Sequence, residues 1–292
     1  MNLTADDIAW VKAHAAEVTQ TFGAEFAAAR DRFKEGQLLL NRFNTAIESV
    51  LKNGRGHFSP VDEAHNEICI ASALLANTRL RFIRLEYEPP LPGCAKTIDF
   101  RATADNGQIV YVDVKTIKSQ AADRWDQFEK ATKEGWIADN VHVVISQDWL
   151  GGEIWHAWFA ARARMLEYTL ELEQKIAEGN LAGENTPFVL ALCGDGFGWQ
   201  QDGLEDFVSF YYSGIHRADD AFSKVELRYI SDKKITINRT ISQFAYMKRP
   251  QSQIRPIRLN WNVRPPRDSF FKRHPSFPPL RCSGRKAVEE RP

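Results

Sequence analysis

The stretch Ile109-Val110-Tyr111-Val112-Asp113-Val114-Lys115 most constrains how this chain can fold. In an extended strand its three valines share one face, and the other four residues, including Asp113 and Lys115, share the opposite face. Because both faces are largely apolar, the stretch predicts a strand in the middle of a sheet. An acid and an amine at its carboxyl end would then lie near the core. Charges there are costly unless they are paired or bind a metal.

A second strand is predicted over 97–103, and the segment Asp105-Asn106-Gly107 that follows it is a hairpin signal. The alternate apolar residues of this strand are expected to share the core face with the valines of the central strand; they are Ile98, Phe100 and Ala102. The two strands would therefore pair in an antiparallel hairpin with one apolar face in common.

The register of this hairpin decides whether a further charge joins Asp113. Directly opposed residues on antiparallel strands point to the same side of the sheet. The core faces match when Ala102 lies opposite Val110, and the same register sets Asp99 opposite Asp113. It requires a three-residue loop with Gly107 in a left-handed bulge, because a two-residue turn would direct Asp99 to the wrong face.

Two opposed carboxylates predict a cation site. Both cannot stay ionised at close range without a compensating positive charge. Oxygen ligands suit Mg²⁺ or Mn²⁺, which bind through one or two carboxylates, several waters and a substrate phosphate. Lys115 would then orient or deprotonate an attacking water, or stabilise the charge that develops on phosphorus. The pattern therefore favours phosphodiester hydrolysis.

Asp99, a gap of thirteen residues and then Asp113-Val114-Lys115 resembles the signature of the PD-(D/E)XK nuclease superfamily. The predicted element order around the motif is also similar: a helix with an acid, a strand, the hairpin, a helix and another strand. The resemblance covers about residues 59–146. It implies an α/β fold, with a restriction-endonuclease-like mixed sheet flanked by helices, and a Mg²⁺-dependent deoxyribonuclease of the restriction or DNA-repair type.

The same resemblance implies an additional acid on the preceding helix. Glu67 is our choice for this metal ligand, and Glu63, one turn earlier, is its rival. Ile98 replaces the proline of the motif, and Asp113 is the less common acidic choice at its position. Gln127 is a weak match to a glutamine that some members carry on the following helix.

The rest of the chain divides into three predicted parts. Residues 1–56 form a helical region, 57–247 the nuclease domain, and 248–292 a basic, proline-rich arm that is extended or irregular. Outside the hairpin we expect a first helix that begins near residue 4 and has its apolar stripe to residue 18, and further helices over 24–51, 59–76, 120–134, 153–177 and 204–212. We expect strands over 82–88, 141–146, 188–193 and within 225–238. We interpret the long helices over 24–51 and 153–177 as structural walls or a dimer surface.

The formal net charge is zero, but this neutrality is a sum of unlike parts. The arm over 248–292 has 12 Lys and Arg against 3 Asp and Glu, so the remainder of the chain is acidic. Basic side chains neutralise phosphates and aromatic rings stack on unpaired bases, and the arm contains both. The expected partner is a nucleic acid, most simply DNA, and a homodimer is left open.

Other classes of protein receive little support. The four cysteines form no CxxC pair, and the seven histidines lack HxxxH spacing, so a zinc site is not expected. His65 is interpreted as a residue of the helix surface. No apolar run is long enough to cross a bilayer, and we expect a soluble, cytoplasmic protein. The alternative function is a non-catalytic module that binds nucleic acid or protein on the same fold.

Overall fold

The structure is a computed structural model that describes residues 3–53, 59–117, 155–181, 186–194, 201–214, 230–231, 234–248 and 270–273. Its helices are α1 (Ala5–Ala28), α2 (Gly36–Asn53), α3 (Ser59–Leu75), α4 (Trp155–Glu178) and α5 (Gln201–Ser213). Its strands are β1 (Phe82–Tyr87), β2 (Phe100–Ala104), β3 (Ile109–Ile117), β4 (Phe188–Gly194), β5 (Gln243–Lys248) and β6 (Phe270–Arg273). The predicted helix over 120–134 and strand over 141–146 lie outside the described residues.

The six strands form one mixed sheet in the order β1-β2-β3-β4-β5-β6. The first three pair antiparallel, as two successive hairpins. β4 and β5 then run parallel to β3, and β6 returns antiparallel along β5. A parallel pair needs a long crossover connection, and α4 and α5 lie within the two crossovers, before β4 and β5 respectively. The predicted mixed α/β class is confirmed, and the central position of β3 places its charged end between other strands.

Helices cover both faces of the sheet. The valine face of β3 shares one hydrophobic cluster with buried side chains of α1, α2 and α3. The Tyr111 face shares a second cluster with α4 and α5. A sheet with both faces buried demands strands that are apolar on both sides, which β3 and β4 provide. Asp113 therefore lies inside the molecule, on the face that α4 covers.

The first two helices have different bounds from those that the sequence predicts. α1 begins with a capping box, in which Thr4 Oγ1 accepts the Asp7 N–H and Asp7 Oδ2 accepts the Thr4 N–H. It continues past residue 18 because Phe22 and Phe26 extend the buried stripe. The chain then turns over 29–35, within the predicted second helix. Gly36 opens α2 against α1, where an added Cβ would lie 2.9 Å from Phe26 Cβ.

Two predictions near the carboxyl end of the chain fall partly outside the described residues. The described part of 225–238 contains no strand, and the strand follows it, as β5. The arm over 248–292, expected to be extended or irregular, contributes β6 to the sheet edge. Bulky apolar side chains in β5 and β6 favour strands, but segments of six and four residues are too short to identify as strands from their pattern alone.

Among the described helices, none is both long enough and apolar enough to cross a membrane.

Candidate active site

The β2–β3 hairpin has the predicted register. Ala102 lies opposite Val110, and Phe100 opposite Val112. The Gly107 N–H donates to Ala104 O at 2.9 Å, and the Ala104 N–H donates to Gln108 O at 2.8 Å. Gly107 has a φ of +80°, a left-handed conformation that costs little only for glycine. The three-residue loop with a glycine bulge is therefore confirmed.

Asp99 immediately precedes β2 and reaches across to β3. Its Oδ2 accepts the Val114 N–H at 2.5 Å, which sets the carboxylate beside the backbone that carries Asp113. Burial and the charge of Asp113 raise the pKa of Asp99 to about 6, against the opposing effect of the Val114 hydrogen bond and two lysines. Asp99 is therefore close enough to Asp113 to feel its charge.

One neighbour of Asp99 departs from the prediction. Ile98 was expected to share the core face with Phe100, but it packs in the cluster on the α4 side of the sheet. Strict alternation applies only within a regular strand, and β2 begins two residues later, at Phe100. The chain before β2 is held instead by bonds to the end of β1: Ile98 N–H donates to Pro89 O, and Glu88 N–H donates to Asp99 O.

Asp113 is completely buried, with 0% of its side chain exposed, and lies between two ammonium groups. Lys175 Nζ of α4 lies 2.8 Å from Asp113 Oδ1. Lys115 Nζ lies 3.4 Å from Asp113 Oδ2, an oxygen that makes no hydrogen bond. A buried carboxylate oxygen without a hydrogen bond has unused acceptor capacity.

Lys115 is shared between several groups. Its ammonium lies 3.5 Å from Glu171 Oε2 and 5.6 Å from the centre of the Tyr168 ring, both on α4. Burial lowers the pKa of Lys115, but the carboxylates of Asp113, Asp99 and Glu171 together outweigh it, so that the net shift is upward. The lysine is therefore protonated at neutral pH in this arrangement, as a cation that stabilises negative charge.

Glu67 lies on α3 and is also buried, but it belongs to a different set of contacts. Its Oε2 accepts hydrogen bonds from Arg42 of α2 at 2.9 Å and from the Tyr87 hydroxyl of β1 at 2.7 Å. Arg42 also contacts Tyr87 directly and pairs with Glu88 at 3.3 Å. Burial, followed by the charge of Asp99, raises the pKa of Glu67 to about 7. The carboxylates of Glu67 and Asp99 are thus electrostatically coupled.

The remaining predicted residues have mixed outcomes. Glu63, the rival of Glu67, is half-buried, and its charge raises the pKa of Tyr168 on α4, although burial has the larger effect. The interpretation of His65 as a surface residue is wrong, because it is buried among Phe22, Phe43 and Cys69. Gln127 lies outside the described residues, as does most of the basic arm.

The acidic pair fits a divalent cation with few protein ligands. The described residues contain no group of three or more His, Cys, Asp or Glu side chains arranged to hold a metal. Mg²⁺ does not require such a cage, since one or two carboxylates with waters and substrate phosphate suffice. Asp99, whose pKa is raised partly by Asp113, and the unsatisfied Asp113 Oδ2 are the donors that a cation would satisfy.

Five residues at this site were not identified from the sequence. They are Arg42, Tyr87, Tyr168, Glu171 and Lys175. The three on α4 are spaced as one helical stripe beside buried Leu172 and Ile176, which is a usable signal. This spacing is a weak signal, because lysines at the border of an apolar stripe commonly extend their charge to solvent.

Comparison of the chain with protein-family models, curated proteins and solved structures found no match.

Proposed function

We propose that the chain is a metal-dependent nuclease with a restriction-endonuclease-like fold that hydrolyses phosphodiester bonds, most simply in DNA. The observation that carries the proposal is the arrangement of Asp99, Asp113 and Lys115 at the β2–β3 hairpin. The hairpin register, confirmed for Ala102 and Val110, is the one that this site requires. Asp99 reaches β3 through the Val114 N–H, and Lys115 lies 3.4 Å from Asp113 Oδ2.

In this proposal Asp99 and Asp113 hold Mg²⁺ or Mn²⁺, and Glu67 assists from α3. The cation would neutralise the scissile phosphate and lower the pKa of a bound water. Burial of Asp113 excludes water from one side of the site and strengthens its interaction with charges. Burial and then the charge of Asp113 raise the pKa of Asp99, and a bound cation would relieve the part that is due to Asp113.

Lys115 has the role of an electrostatic catalyst at the attacking water and the phosphate. Lys115 is protonated in the metal-free arrangement, and we assign it the role of a cation that orients water or stabilises the pentavalent transition state. Its second partner, Glu171, is 53% exposed and easily replaced by solvent. The ammonium can therefore turn from Glu171 to a substrate without breaking a buried pair.

The alternative is a non-catalytic module, favoured by one observation. Two buried acids of the site already have basic partners: Asp113 has Lys175 and Lys115, and Glu67 has Arg42. Ion pairs of this kind satisfy buried charge without any ligand. In that case the site would stabilise the fold, and the chain would bind nucleic acid or protein through another surface.

Cleavage assays with the full chain separate the two functions. Supercoiled, linear, single-stranded and branched DNA would be incubated with Mg²⁺ or Mn²⁺, with EDTA as the metal-free control. Lys115→Met should reduce cleavage about 10²-fold or more, the effect of removing one preorganised charge stabiliser. Lys52→Met removes an exposed lysine of α2 and should leave cleavage unchanged. Retained binding in EDTA with no cleavage under any metal condition would favour the module.

A further inference from the structure

The contact between Lys175 and Asp113 is the shortest of the ion pairs described above for this site. Lys175 is 12% exposed, and its ammonium is 2.8 Å from an oxygen of a carboxylate that has no exposure. It comes from α4, whereas the other lysine of the pair comes from β3 itself. Nothing in the proposed reaction uses Lys175, so this buried charge needs its own explanation.

The two oxygens of Asp113 are not equivalent. Oδ1 is held by Lys175, while Oδ2 makes no hydrogen bond and lies 3.4 Å from Lys115 Nζ. A charge-assisted hydrogen bond is stronger and more directional than an ion pair at the longer distance. Lys175 therefore fixes the rotation of the carboxylate and leaves Oδ2 as the oxygen with free capacity.

Removing Lys175 would change the partner of Asp113. The buried carboxylate would have the Lys115 ammonium as its remaining cation, and both oxygens could turn toward it. Since an unpaired buried charge is costly, this new pairing would be favoured. Asp113, the proposed metal ligand, and Lys115, the lysine proposed to act on substrate, would then be occupied by each other.

We propose that Lys175 is a positioning residue: it holds Asp113 Oδ1 so that Oδ2 is presented to a divalent cation and Lys115 stays available for substrate. The inference rests on the proposed function, because it takes Asp113 as a metal ligand. Residues that hydrogen-bond a ligating carboxylate commonly set metal affinity in this way, by 10- to 100-fold.

Mn²⁺ binding by the full chain without substrate tests this role, measured by the loss of the free-ion electron paramagnetic resonance signal. Lys175→Met should weaken Mn²⁺ binding about 10- to 100-fold. Lys175→Arg keeps a cationic donor and should restore most of the affinity. Lys52→Met, which removes an exposed lysine, should bind Mn²⁺ as the wild type does. Urea unfolding of each variant would show that it is folded under the conditions used.

The outcomes separate this inference from the function on which it rests. If wild type binds Mn²⁺ and Asp113→Asn does not, the metal site stands. Unchanged or tighter Mn²⁺ binding by Lys175→Met would then overturn the positioning role alone, because the ammonium would only neutralise Asp113 or compete with the cation. Absence of Mn²⁺ binding by wild type would overturn the metal-dependent function and the inference together. If Lys175→Met does not fold, equal affinities of Lys175→Arg and Lys175→Gln would overturn the role.

Discussion

Asp113 and Glu67 are both buried carboxylates, but they differ in the charges that compensate them. Asp113 contacts two ammonium groups, one from its own strand and one from α4. Glu67 contacts a single guanidinium, which is 43% exposed and shared with Glu88, and a neutral phenol. Burial alone therefore does not set the electrostatic surroundings of a carboxylate. The supply of nearby positive charge differs between the two carboxylates, and at Glu67 burial raises the pKa to about 7 although Arg42 opposes that shift.

The two acids also have partners from different elements of the fold. Asp113 is on the face covered by α4, with Lys115 and Lys175 around it. Glu67 is on α3, which covers the valine face, and its partners come from α2 and β1. We therefore expect changes at Asp113 to affect cleavage most, and changes around Glu67 to affect stability most. The following predictions test that division in order of decreasing effect.

Asp113→Asn should have the largest effect. Asparagine keeps the shape of the side chain but removes the charge that would bind the cation. Losing several kcal/mol of charge stabilisation should reduce single-turnover DNA cleavage about 10³-fold, at tenfold for each 1.4 kcal/mol. Asp31→Asn, at an exposed acid, is the matched control. If Asp113→Asn cleaves DNA within tenfold of the wild type, Asp113 does not affect cleavage more than Glu67 does in the way expected here.

The metal-free protein should lose stability as pH rises through the pKa of Glu67. That pKa is raised from 4.5 to about 7, so the folded state binds this proton more tightly than the unfolded state does. The stabilisation is complete below about pH 4.5 and is lost by pH 8, a change of about 3 kcal/mol. Urea unfolding across this range should show the decline, and Glu67→Gln should remove most of it. An equally steep decline in the variant would assign the effect to another group, and Asp99 is the first to examine.

Arg42→Met should destabilise the fold by about 1–2 kcal/mol at pH 8. The Glu67 carboxylate would lose its cation and keep Tyr87 as a donor, although partial exposure of Arg42 limits the cost. Urea unfolding measures the loss, and Arg30→Met provides a control at an exposed arginine. Cleavage should fall less than in Asp113→Asn. A loss of cleavage as large as that of Asp113→Asn would show that both acids serve the reaction directly.

Gly107→Ala should have the smallest effect. The turn requires a φ of +80°, and an added Cβ would meet no atom within 4 Å. The expected cost is therefore backbone strain alone, about 1 kcal/mol in urea unfolding. Cleavage should be unchanged, since strands that are paired along their length keep the register. Loss of cleavage without loss of stability would mean that the loop itself contacts substrate.

The hairpin shows how far local patterns in a sequence extend. Alternation in 109–115, the glycine after Asp105-Asn106 and the parity rule together predict both the register and the loop, and the structure confirms them. Each of these signals acts between residues close in the chain. Prediction failed at Ile98 because its direction depends on bonds to the end of β1, outside the regular strand.

The partners of the acids could not be predicted in the same way. Lys175 lies 62 positions from Asp113, and Arg42 lies 25 positions from Glu67. No periodicity links residues at such separations, since they meet only when α2 and α4 pack on the sheet. His65 failed for a related reason. Its polarity favoured the surface, but the packing of α1 and α2 against α3 surrounds it with aromatic rings.

The sequence by itself determined the central strand, its hairpin partner and the two acids and one lysine that this hairpin carries. Local sterics and side-chain alternation are enough for these, because they act over a few residues. Only the tertiary structure decided which cations accompany each acid, that Lys175 holds one oxygen of Asp113, and that Glu67 pairs with Arg42 and Tyr87. The physical reason is that charge compensation in the interior depends on distance in space. The packing of helices on the two faces of the sheet sets that distance.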